Sequence, residues 1–158
     1  MIVCVIVGEN GEYMFNNRRP ATDAVVRSNM IRHARGSNLY IRKEISPDFL
    51  KSFGEIPDDL EAIDACGTSL HIVSDPLQDA QDDDFAYCDT EELFDNVEKI
   101  QCLIVFNLHH TYPAEVSLTN AFLDHFEPIY ATDYVGQITS RVTETIYSPK
   151  INESEFQE

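Results

Sequence analysis

The chain has 158 residues, 43% of them hydrophobic, which suits one ordinary core and is too apolar for a disordered tail. Its net charge of −17 opposes direct binding to DNA or RNA, and no apolar run approaches the roughly 20 residues that cross a membrane. The charge is uneven: residues 1–43 carry seven Lys/Arg against three acids, and residues 44–158 carry four against 25.

That asymmetry fits either a local anion site on an anion-repelling body or a solubility bias of the surface. Cys4, Cys66, Cys88 and Cys102 form no CxxC pair, so buried reduced thiols are expected rather than a disulfide framework. Met1–Val7 is apolar but has no basic n-region, so it reads as a strand and not a signal peptide. One domain over residues 1–158 and a cytoplasmic location are the expectations.

Ile2–Val7 is a continuous β-branched run, the pattern of a strand covered on both faces. Asn10-Gly11 marks a turn, followed by a polar loop over Tyr13–Pro20. Thr22 is the expected N-cap of a helix with Asp23 in its first turn and Val26, Met30 and Ala34 along one face. Arg35-Gly36 ends it. Asn38–Ile41 is a short strand. Ser46-Pro47-Asp48 has the order of a helix start, with Phe49, Leu50 and Phe53 on its apolar side. Pro57–Ala65 is expected as a further short helix, and Leu70–Val73 as a strand stopped by Asp75-Pro76.

Asp79–Asp84 reads as an exposed acidic loop without the glycine and distal glutamate of a calcium loop. Phe85–Cys88 is a short strand, and Asp89-Thr90-Glu91-Glu92 resembles a capping box. Cys102–Phe106 is a second buried strand, Pro113–Leu123 a helix, and Phe126–Thr132 and Arg141–Tyr147 two late strands. Strands alternating with helices predict a mainly parallel sheet with right-handed crossovers, and the helix-free late pair predicts an antiparallel edge.

Ligands of such sheets bind beyond the carboxyl ends of the strands. That places interest on residues 8–20, 42–46, 74–84, 107–112 and 133–137. His109-His110 has no accompanying ligand spacing, so no metal site is expected. No Walker loop, Gly-x-Gly-x-x-Gly or Gly-x-Ser-x-Gly elbow is present.

The order of elements resembles the dihydrofolate reductase family along nearly the whole chain. Asn10-Gly11-Glu12-Tyr13-Met14-Phe15-Asn16-Asn17-Arg18-Arg19-Pro20 is similar to that family's loop after the first strand. Ile41-Arg42-Lys43-Glu44 matches its Gly-Arg-Lys-Thr segment. Ala131-Thr132 and Glu144-Thr145-Ile146-Tyr147-Ser148-Pro149 look like its closing strands. The resemblance implies a three-layer α/β fold and NADPH-dependent reduction of dihydrofolate, a step of one-carbon metabolism and nucleotide biosynthesis. It casts Asp23 as the catalytic carboxylate, with Val7, Ile31 and Thr132 at the substrate. It casts Asn17, Arg42, Lys43, Asn107, Leu108 and Tyr112 at the cofactor.

The chain departs from the family's pattern at several points. Ala21 stands for a tryptophan, Asn107-Leu108 for a Gly-Gly pair at the pyrophosphate, Ile41 for a glycine and Glu44 for a threonine. Those losses and the acidic body support the alternative, an inactive protein of the same fold that docks on a basic macromolecule. A nucleotide-binding module using the Arg18–Lys43 region is a third, weaker reading.

Overall fold

The structure is a computed structural model, and it describes residues 1–15, 23–50, 62–65, 67–111 and 114–150. Among the described residues, ten strands form two sheets. They are β1 (Ile2–Val7), β2 (Glu12–Phe15), β3 (Asn38–Arg42), β4 (Ala62–Ala65), β5 (Thr68–Val73), β6 (Phe85–Tyr87), β7 (Cys102–Asn107), β8 (Ala114–Ser117), β9 (Phe126–Tyr134) and β10 (Val142–Pro149). The helices are α1 (Ala24–His33), α2 (Ser46–Leu50), α3 (Pro76–Asp79) and α4 (Asn120–Leu123), with 3₁₀ segments at Lys43–Ile45 and Glu91–Lys99.

The main sheet has eight strands in the order β4-β5-β3-β6-β1-β7-β10-β9. Its centre, β5-β3-β6-β1-β7, is parallel, and the margins pair antiparallel: β4 with β5, β10 with β7 and β9 with β10. β2 and β8 pair as a small antiparallel sheet of their own.

Why β1 lies centrally follows from its sequence. Both faces of IVCVIV are apolar, so it can be covered on each side. Cys4 and Ile6 join one cluster with Val26 and Met30 of α1, Phe49 of α2, Leu39, Ile41 and Phe106. Met1, Val3, Val5 and Val7 join the other, with Leu77 of α3, Leu93 of the second 3₁₀ segment and Phe122 of α4. The result is three layers, helix on sheet on helix, as the sequence pattern predicts.

Several boundaries differ from expectation, and the reasons are tertiary. Tyr13 was expected in a loop but lies in β2, which pairs with β8. That same pairing makes Ala114–Ser117 a strand where a helix was expected, and leaves only the single turn of α4. Ala62–Ala65 is a strand rather than the end of a helix, because it hairpins onto β5 through Gly67 at φ 92°. Ser46 does not cap a helix: its hydroxyl donates to the carbonyl of Lys43 and continues the 3₁₀ turn into α2. Thr90 makes no side-chain cap, and Asp89 uses its carboxylate elsewhere. Asp79 belongs to α3, and Asp84 is buried, accepting from Asn38 Nδ2 and the Gln81 amide.

Cys4, Cys88 and Cys102 are free thiols, and burial pushes all three pKa values up. Among the described residues no helix is long and apolar enough to cross a membrane, and no cluster could hold a metal ion.

Candidate functional site

The carboxyl ends of β1, β3, β6 and β7 open toward one margin, where this architecture places ligands. The loops after β1 and β7 close on each other there. The Glu9 amide donates to the His110 carbonyl at 2.8 Å, and the Leu108 amide to Val7 at 2.9 Å. Gly11 turns with φ 85°, and a Cβ there would meet the Leu118 carbonyl at 2.8 Å, so glycine is required.

Asp23 lies at the mouth of α1 and is 1% exposed. It is the N-cap of the helix itself, one position later than the expected Thr22, which is outside the described residues. Its Oδ1 accepts from the amides of Val25 (2.9 Å), Val26 (3.3 Å) and Gln137 (3.0 Å). Its Oδ2 accepts from Ile138 (3.0 Å) and Thr139 (3.2 Å). A carboxylate offers about four lone-pair positions, so five backbone donors fill it. Burial alone would raise its pKa, but the amides of Gln137, Ile138, Val26 and Val25 outweigh burial and hold it below 3.8. A Cβ on Gly136 would stand 2.5 Å from Oδ2, so a glycine lets the turn close on the carboxylate.

Arg42, expected at a cofactor phosphate, grips Asp89 instead. Nε and Nη2 donate to the two carboxylate oxygens at 2.7 and 2.8 Å, and Glu44 stands 3.4 Å from Nη1. This fork pairing with Asp89 outweighs burial and raises the Arg42 pKa. Lys43 is exposed in the 3₁₀ turn. Asn107 accepts the His109 amide on Oδ1 at 2.8 Å, and Leu108 is 3% exposed inside the first cluster.

The expected substrate residues do not meet. Val7 packs on the sheet face away from α1, with Leu118 and Phe122. Ile31 is half-buried on α1, and its carbonyl accepts the Thr68 hydroxyl. Thr132 lies far across the sheet on β9, paired with Glu144. Asn17 and Tyr112 lie outside the described residues.

Between α1 and α2 the cleft is packed with the protein's own groups. Val26, Met30, Ile45, Phe49 and Tyr87 are all at most 4% exposed, with the Phe49 and Tyr87 rings 6.0 Å apart. Arg27 is also buried there: burial lowers its pKa, and the nearby Asp48 and Asp23 carboxylates oppose that.

Sequence reading missed one further chain of polar groups. His109 has φ 57°, a left-handed backbone rare for a side chain other than glycine. Its Nδ1 donates to Glu9 at 2.8 Å, and its Nε2 stands 2.6 Å from the Thr143 hydroxyl, which donates to Asp133. The four residues come from four separate segments, so no local motif signals them. The Asn10-Gly11 turn and the His109-His110 pair were the only legible hints.

No protein-family model and no curated protein matches the sequence. The fold does resemble a solved structure: a dihydrofolate reductase from Enterococcus faecalis, complexed with NADP(H) and RAB-propyl, superposes with a TM-score of 0.56. The alignment covers 95% of this chain and 96% of that one at 9% identity. The chain therefore has a dihydrofolate reductase-like fold, and the likeness at this identity speaks for the fold alone.

Proposed function

We propose that the chain keeps the reductase architecture without NADPH-dependent chemistry, and works as an acidic binding protein for a basic macromolecule. The observation that carries this is Asp23. The only carboxylate that the family resemblance puts at the substrate already receives five backbone amides. To accept from a pterin it would have to release the turn at 137–139. Arg42 agrees, because a guanidinium held by Asp89 and flanked by Glu44 offers a phosphate little net positive field. The net charge of −17 then favours a basic partner.

A second reading, NADPH-dependent reduction of dihydrofolate, is favoured by the NADP(H) in the Enterococcus faecalis structure. Mixing the full chain with dihydrofolate and NADPH and following NADPH oxidation separates the two. The proposal expects a rate no faster than the protein-free control. Turnover that saturates with both substrates and is lost in Asp23→Asn would replace it with the second reading.

A further inference from the structure

β9 is the outermost strand at one margin of the main sheet. It is nine residues long and, among the described residues, pairs only with β10. Its other row of backbone N–H and C=O groups therefore has no strand partner among the described residues. Exposed edges are usually guarded by lysines, prolines, bulges or a covering element. β9 has no lysine. Its guards are Pro128 and one bulge, with Ile129 as the extra residue between the Pro128–Tyr147 and Tyr130–Ile146 pairs. Beyond that bulge, Tyr130–Tyr134 pairs in regular register.

Among the described residues, the same hairpin carries the large apolar side chains that are most exposed: Ile129 (62%), Tyr130 (57%), Val135 (72%) and Ile138 (69%). The turn that presents Val135 and Ile138 is held in place. Gly136 donates to Thr139, and Asp23 receives the amides of Gln137, Ile138 and Thr139. Thus a buried carboxylate fixes an exposed apolar tip beside an open strand edge.

Charge decides what covers it. A second copy would bring −17 against −17, and β9 carries Glu127 and Asp133 with no base of its own, Arg141 of the same hairpin standing 3.5 Å from Asp133. A basic segment meets the opposite sign. We infer that the β9 edge takes an extended basic segment of a partner protein as an added strand. Backbone pairing gives the affinity, apolar side chains rest against Tyr130 and Ile138, and the alternating cations lie on the opposite face, where Asp133 stands. This names the docking edge of the acidic binding protein proposed above, and rests on that reading.

The probe is an acetylated, amidated peptide of alternating lysine and valine, Lys-Val-Lys-Val-Lys-Val-Lys, added to the full chain. Amide hydrogen exchange is expected to slow about tenfold within residues 129–134 and to stay unchanged in the other strands. The double variant Tyr130→Lys, Ile138→Lys should weaken peptide binding about tenfold. Glu98→Lys makes the same change in net charge on the 3₁₀ segment and should alter binding by less than about twofold. Protection outside β9, or equal losses in both variants, would overturn the proposal. So would a dimer that protects the same amides without peptide. NADPH turnover in the assay above with β9 still protected would remove the non-enzymatic reading and leave the edge in place.

Discussion

Asp23→Asn should lower the melting temperature by roughly 6–16 °C, from a loss of about 3–4 kcal/mol. The substitution keeps size and shape but replaces an acceptor-only group by one that also carries N–H donors. Five backbone amides converge on the two oxygens, so at least one must then face another donor. The cap of α1 and the anchor of the 137–139 turn weaken together.

The pH dependence has a definite sign. Asp23 has a folded pKa below its ordinary value of 3.8. Its contribution is therefore present above that ordinary value and lost as pH falls through the lower folded one. Urea unfolding of both proteins across pH should show the gap between them narrowing below about pH 4. A constant gap down to strong acid would show that the amides do not act through the carboxylate's charge.

Phe49→Ala is the second large effect. Phe49 is 2% exposed and fills the space between α2 and the sheet against Tyr87, 6.0 Å ring to ring. Truncation removes buried apolar surface and leaves a cavity, for a cost of about 3–5 kcal/mol. The melting temperature should fall by roughly 6–20 °C. This loss should stay constant as pH falls below 4, since no charge is removed, and that separates it from Asp23→Asn. A cost under about 1 kcal/mol would mean that the cleft collapses freely or was never packed.

Where both faces of a strand are buried, local sequence was enough to find it. β1 has the bounds read from IVCVIV, and β7 extends CLIVF by one residue. The late hairpin was legible from its alternation instead, with each strand longer than expected. The small sheet was not legible, because Glu12–Phe15 and Ala114–Ser117 have neither clear alternation nor turn signals. They become strands only by meeting each other across about a hundred residues of sequence. Ala62–Ala65 failed similarly, since alanine-rich tetrapeptides suit a helix until a neighbouring edge recruits them.

The candidate site was read less completely, and the cause is partner choice. Asp23, Arg42 and Asn107 have the residue types the chemistry asks for, and the sequence places them at loop ends. Whether each is free depends on its partners: the 137–139 turn and Asp89, both distant in sequence, and the His109 amide two residues on from Asn107. Neither of the distant pairings leaves a mark in local sequence. The Gly136 position, with no room for a Cβ beside Asp23, was the nearest thing to a signal.

Titrating NADPH into the full chain while following thermal unfolding shows whether Arg42, Asn107 and Asp23 are open to a cofactor. All three are satisfied by the protein's own groups, so the melting temperature should stay unchanged up to millimolar NADPH. A saturable rise, reaching about 2.7 kcal/mol at 100 times the dissociation constant, would contradict this and return the chain to nicotinamide chemistry.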